Sequence, residues 1–234
     1  MNILTVILSL LPGFAWLVFY LQEDLHPEPK RLIAFVFIVG MASAWFALAA
    51  EILLRYLIVG ATSSGLPQFL KTALISTPVW LLILALTEEV VKFGAAYLAI
   101  HKNPEFDEPI DAMIYMVVVA LGFATVENLG ALSGEASQTA ILSSTFTLTS
   151  LRFVGATLLH TLTSAIVGFY WALGLRMMKT SRYLFAGLVL ATVLHGIFNY
   201  FILIYGNLIY SVVFLLVVGF FVLSDFEKLK QRKI

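Results

Sequence analysis

Long apolar runs separated by short polar connections divide the chain into seven stretches, near 2–21, 32–54, 72–100, 110–130, 148–175, 183–204 and 208–223. Each can form a helix across a bilayer, which takes roughly 20 apolar residues. The third and fifth exceed a simple span. Pro78 is placed to divide the third into an interfacial piece and a spanning piece from about 79 to 100. The first stretch has no positively charged lead, since the first basic residue is Lys30, so it reads as a retained helix and not a cleaved signal. The expected fold is all-α, a polytopic membrane helix bundle of about seven transmembrane helices. No repeat, linker or second domain is visible, so 1–234 reads as one integral-membrane domain with a short basic tail at 224–234. A Ser/Thr-rich stretch at 133–150 reads as a connector between the fourth and fifth spans.

Composition agrees with a lipid-embedded chain. Hydrophobic residues make up 61% and charged residues only 12%, with a mean hydropathy of +0.97; soluble domains carry about 25% charged residues. A net charge of zero argues against a nucleic-acid partner. With no cysteine, a metal would have to be held by His, carboxylate or amide oxygen. Loop charges predict the orientation. With the amino terminus outside, ten basic residues face the cytoplasm (Lys30, Arg31, Lys102, Arg176, Lys179, Arg182, Lys228, Lys230, Arg232 and Lys233), against Arg55 and Lys71 outside. That bias places the carboxyl terminus in the cytoplasm of a cell-membrane protein.

Ionisable residues inside such spans are expensive and need a reason. Glu88, Glu89 and Lys92 fall on one predicted helix, where Lys92 is within reach of either carboxylate. Adjacent glutamates point about 100° apart, so they do not fully share a face. A salt bridge that only joins helices would explain one glutamate, whereas a second suggests a general base or metal ligand. Glu127 and Asn128 end the fourth span, with Phe123 on the face of Glu127. His160 lies in the fifth span, eight residues after Arg152, and His195 and Asn199 share a face of the sixth. A lone intramembrane His is often just a helix-joining hydrogen-bond group, but two on separate helices are harder to dismiss. His26 and His101 fall in loops and read as solvated.

In order along the chain these elements are Glu88-Glu89-x-x-Lys92, the run Phe106-Asp107-Glu108-Pro109-Ile110-Asp111, the run Leu121-Gly122-Phe123-Ala124-Thr125-Val126-Glu127-Asn128, Arg152 followed by His160, and His195-Gly196-x-x-Asn199. An early Asp24-x-x-x-x-Glu28-Pro29 precedes them. The combination resembles the PrsW family of intramembrane proteases, within the superfamily of CAAX-prenyl and bacteriocin-processing proteases. The resemblance implies site-1-type cleavage of a single-span membrane substrate, typically an anti-sigma factor, at a site between the third and sixth helices.

Hydrolysis needs a base and an electrophile. Glu88 or Glu89 is expected to activate water. His160 and His195 with Glu127 are the candidate ligands of a divalent ion, zinc by donor type. Asn199 would donate to the oxyanion; Lys92, Asn128 and Arg152 would support. Without a metal, the same residues would act as a glutamate-activated water with a His/Asn oxyanion hole. A proton-coupled transporter also keeps carboxylates and His in its core, but usually shows inverted repeats. A noncatalytic membrane scaffold is the third reading.

Overall fold

A helix that is apolar on every side gains most where protein surrounds it. The stretch Pro109–Gly134 is such a helix, and its residues 110–125 are all buried. Most of the other helices pack against it. The computed structural model describes residues 3–23, 26–63, 77–134, 149–205 and 208–230. In chain order the helices are α1 (Ile3–Leu21), α2 (Lys30–Ser63), α3 (Thr77–Ile100), α4 (Pro109–Gly134), α5 (Leu158–Arg176), α6 (Thr180–Tyr205) and α7 (Leu208–Lys230). No strand occurs among the described residues. Asp24, Lys71, positions 135–148 of the Ser/Thr-rich connector, and Arg232 and Lys233 lie outside them.

Among the described residues, six helical stretches are long and apolar enough to cross a membrane: Ile3–Leu21, Lys30–Ile58, Pro109–Ser133, Thr149–Arg176, Thr180–Leu203 and Ile209–Leu229. The remaining helix, α3, is equally long but carries Glu88, Glu89 and Lys92 in its middle. Pro78 stands in its first turn, where its missing N–H costs nothing.

Small residues set the closest crossings. A Cβ on Gly40 would fall 2.2 Å from the Val119 carbonyl oxygen, and one on Gly122 would fall 2.1 Å from that of Phe37. The α2–α4 backbones therefore touch as small-residue membrane helices do. Trp171 on α5 is buried between Phe93 of α3 and Phe106 of the α3–α4 loop, with ring centroids 5.3 and 5.0 Å away.

Besides α2, which runs to Ser63 and so past the expected span end at 54, two features depart from the sequence reading. First, α7 runs through Lys230, past the expected span end at 223. Phe226 and Leu229 are buried, and Phe226 packs on Tyr20 of α1 at 5.8 Å, so apolar burial continues the helix into the expected tail. Second, the helix leading into α5 contains one π turn, Phe153–Thr157. The Trp16 indole N–H donates to the Phe153 carbonyl at 3.0 Å, and the two rings stack at 5.2 Å. Such turns inside helices often occur at functional sites.

Candidate active site

Four helices converge on one buried polar cluster. α3 supplies Glu88, Glu89 and Lys92; α4 supplies Glu127 and Asn128; α5 supplies His160 and Thr163; α6 supplies His195. Lys92 and Glu89 are wholly buried and pair at 2.7 Å, the i,i+3 option. The same Glu89 Oε1 accepts from His195 Nδ1 at 2.8 Å and from Thr163 Oγ1 at 3.0 Å. Three donors on one oxygen make Glu89 the structural anchor of the cluster.

The hydrogen bonds also fix the imidazole tautomers. His195 must carry its proton on Nδ1 to donate to Glu89, which leaves the Nε2 lone pair open in the neutral ring. Lys92 Nζ, a donor only, lies 3.2 Å from His160 Nδ1, so that nitrogen accepts. His160 Nε2 then donates to Glu127 Oε2 at 2.7 Å. The two rings meet edge to face with centroids 5.1 Å apart. Phe123 closes one side, 5.5 Å from the His160 ring, with the Lys92 ammonium 5.5 Å over its own ring.

Glu88 stands apart from its neighbour. Both Glu88 Oε2 and Glu89 Oε2 are buried without a hydrogen-bond partner among the described residues, but it is Glu88 Oε2 that lies 3.8 Å from both His160 Nδ1 and His195 Nε2. Burying a polar oxygen unpaired costs about 1–3 kcal/mol, and more for a charged one. An atom left so, between two imidazoles, is placed to receive something.

Behind the cluster, Arg152 Nε donates to Asn128 Oδ1, and an Arg152 terminal nitrogen lies 3.7 Å from Glu127 Oε2. Asn128 Nδ2 donates to Thr157 Oγ1 at 3.1 Å. Arg152 thus ties the π turn to α4. Asn199 follows His195 by one turn and is half-buried. Glu28 and the run from Phe106 to Asp111 lie elsewhere, at the start of α4, about 24 Å along that helix from Glu127 at 1.5 Å per residue. There Tyr115 donates to Glu28, Asp111 accepts the backbone N–H groups of Asp107 and Glu108 at 3.0 and 2.7 Å, and His26 pairs with Glu108 at 2.8 Å. This arrangement locks two loops to the helix start.

Sequence reasoning passed over Thr163, whose spacing of three from His160 was the available signal, and Glu51 on α2. Glu51 lines a cleft of about 210 Å³ with Glu127, Phe123 and Gly130. It was legible as a carboxylate inside the apolar stretch 32–54.

The profile of the PrsW family of intramembrane metalloproteases matches residues 28–224. The chain belongs to the PrsW family. It is 31% identical over 200 residues to a protease PrsW of Geobacillus kaustophilus (strain HTA426), covering 82% of this chain and 76% of the relative. Protease PrsW of Bacillus subtilis (strain 168) is 26% identical over 202 residues, covering 85% and 83%. Protease PrsW of Clostridioides difficile (strain 630) is 27% identical over 165 residues, covering 65% and 67%. No solved structure matches the chain. As a PrsW protein the chain is a peptidase of the membrane, multi-pass, whose substrate is a membrane protein in the bilayer.

The family is one of metalloproteases, and the residues present fit an ion. Glu88, His160 and His195 each offer one ligand atom, all within 4.8 Å of one another. Each imidazole has a carboxylate on its other nitrogen, Glu89 for His195 and Glu127 for His160, the outer arrangement that orients metal-bound His. Glu127, expected in the ligand set, sits on the far nitrogen of His160, and Glu88 takes its place in the close group. His160 Nδ1 would serve an ion only by giving up its bond from Lys92.

Proposed function

We propose that Glu88, His160 and His195 form the hydrolytic centre of an intramembrane protease that cuts a single-span membrane protein, an anti-sigma factor being the substrate class the family resemblance implies. The observation that carries this is the unpartnered Glu88 Oε2, 3.8 Å from one nitrogen of each imidazole. Where no ion is held, Glu88 accepts the proton of the attacking water at that oxygen, the general-base role that contributes about 10² to 10⁴ in rate; with an ion bound the same oxygen would be a ligand and the ion would acidify the water. Glu89 holds His195 in its Nε2-accepting tautomer and balances the Lys92 charge. Glu127 orients His160, and Arg152 with Asn128 holds Glu127 and the π turn in place. Asn199, on the His195 face, donates to the oxyanion.

Glu88, His160 and His195 would hold a divalent ion, zinc by its nitrogen and oxygen donors. When bound, such an ion polarises the scissile carbonyl and acidifies water. The ten-to-two bias of basic loop residues supports an extracytoplasmic amino terminus and a cytoplasmic carboxyl terminus. Cleavage then falls toward the outer face, because Glu127 lies only seven residues before the end of α4, about 10 Å.

Metal analysis of the purified protein tests the ion. About one zinc per chain is expected, lost in His195→Ala, with chelation abolishing cleavage of a reconstituted single-span substrate and zinc restoring it. Active protein without stoichiometric metal would contradict the ion site. The imidazoles would then serve as hydrogen-bond partners of a glutamate-activated water.

A further inference from the structure

Each peptide bond hydrolysed consumes a water molecule, and the hydrocarbon around this site supplies none. The cluster itself is sealed: the side chains of Lys92 and Glu89 are 0% exposed, His195 2%, His160 3% and Glu88 11%. Glu127 differs, at 31%. It is the member of the cluster that reaches the surface, and it does so in the α2–α4 cleft of about 210 Å³.

We propose that this cleft, with Glu51 on its wall and Glu127 at its inner end, is the inlet through which hydrolytic water reaches Glu88 and the two imidazoles. The proposal rests on the assignment of that cluster as the hydrolytic centre. Three observations carry it. Glu51 is the one carboxylate of the Lys30–Ile58 span and, although Arg55 follows it by one turn, it forms no ion pair within 4.0 Å among the described residues, which leaves its carboxylate for water to solvate. The cleft has room for several waters, each taking about 30 Å³ in the liquid. At Gly130, which lines the cleft and is exposed, an added Cβ would meet nothing within 4 Å, so the space is open and not packed shut. From there polar groups lead inward: Glu127 Oε2 is bonded to His160 Nε2 at 2.7 Å, and across the ring His160 Nδ1 lies 3.8 Å from Glu88 Oε2, a gap with no direct hydrogen bond. Glu51 is a positioning residue here. It holds water at the cleft and touches no reacting atom.

The absence of cysteine makes the test clean, because a single introduced thiol is the only one in the chain. Protein reconstituted in lipid vesicles is treated with a charged methanethiosulfonate reagent, which reacts with thiols in water. Glu51→Cys is compared with Ile52→Cys, adjacent in sequence and therefore at matched depth, but 61% exposed on the outer surface of the bundle. Glu51→Cys is expected to react at least tenfold faster, and Gly130→Leu, which fills the cleft, is expected to slow that labelling to the Ile52→Cys rate. Gly130→Leu should also lower kcat for a reconstituted single-span substrate at least tenfold with KM within twofold, and Gly130→Ala should lie between. Equal labelling at Glu51→Cys and Ile52→Cys overturns the inlet. Fast labelling beside wild-type turnover in Gly130→Leu also overturns it, since water would then arrive elsewhere. The labelling arm reads hydration without any cleavage, so an error in the catalytic assignment shows up separately.

Discussion

At the residue scale the two adjacent glutamates divide their labour. Glu89 takes Lys92, His195 and Thr163 on one oxygen, while Glu88 keeps an oxygen unpartnered between the rings. Glu89→Gln leaves the wholly buried Lys92 ammonium without its counter-charge. Breaking a buried pair by removing one partner costs about 3–5 kcal/mol, so this variant is expected to lose both thermal stability and activity. A melting temperature equal to wild type would remove Glu89 from the anchoring role. Thr163→Val removes a single donor and is expected to cost only about 1 kcal/mol, read in the same melt. The pairing of Lys92 with either glutamate was legible in the spacing alone; the choice of Glu89 was not, because it depends on where His195 and Thr163 arrive from other helices. Glu51 was legible as a charge but not as a neighbour of Glu127, since no spacing rule links α2 to α4.

At the element scale the helices were legible because length and hydropathy decide them in lipid. The π turn and the extra turns of α7 were not, since they depend on Trp16 capturing the Phe153 carbonyl and on Phe226 meeting Tyr20. The order of packing was hidden too: all the spans are apolar, and only the glycines mark where backbones meet. Gly122→Val would drive a side chain into the Phe37 carbonyl, 2.1 Å from its Cβ, with a backbone atom that has no rotamer to escape by. A loss of at least about 3 kcal/mol is expected, at or beyond the upper end of ordinary overpacking, measurable as a lowered melting temperature or loss of folded yield. The α5–α6 turn offers the opposite case. Met178, two residues past the end of α5, is in the left-handed region at φ 51°, with the Lys179 N–H bonded to the Gly174 carbonyl at 3.0 Å. Glycine is the usual residue there, and Met178→Gly is expected to raise stability by up to about 1 kcal/mol. A lowered melting temperature would contradict that reading of the turn.

At the scale of the whole molecule, the bundle places one buried polar cluster inside an apolar shell and a separate anchoring cluster at the other end of α4. The positive-inside bias predicts that alkaline phosphatase fused after Lys230 is inactive in bacterial cells, because that enzyme folds only outside the cytoplasm; an active fusion would reverse the membrane face assigned to cleavage. The deepest claim is that the centre works through Glu88. The most direct measurement is the cleavage rate of a reconstituted single-span substrate by Glu88→Gln, with folding checked by its melting temperature. Gln keeps the size of Glu88 and removes its ability to take a proton, so the rate should fall at least a hundredfold while the melting temperature stays within a few degrees of wild type. Cleavage within a few-fold of the wild-type rate by that folded variant would contradict the assignment.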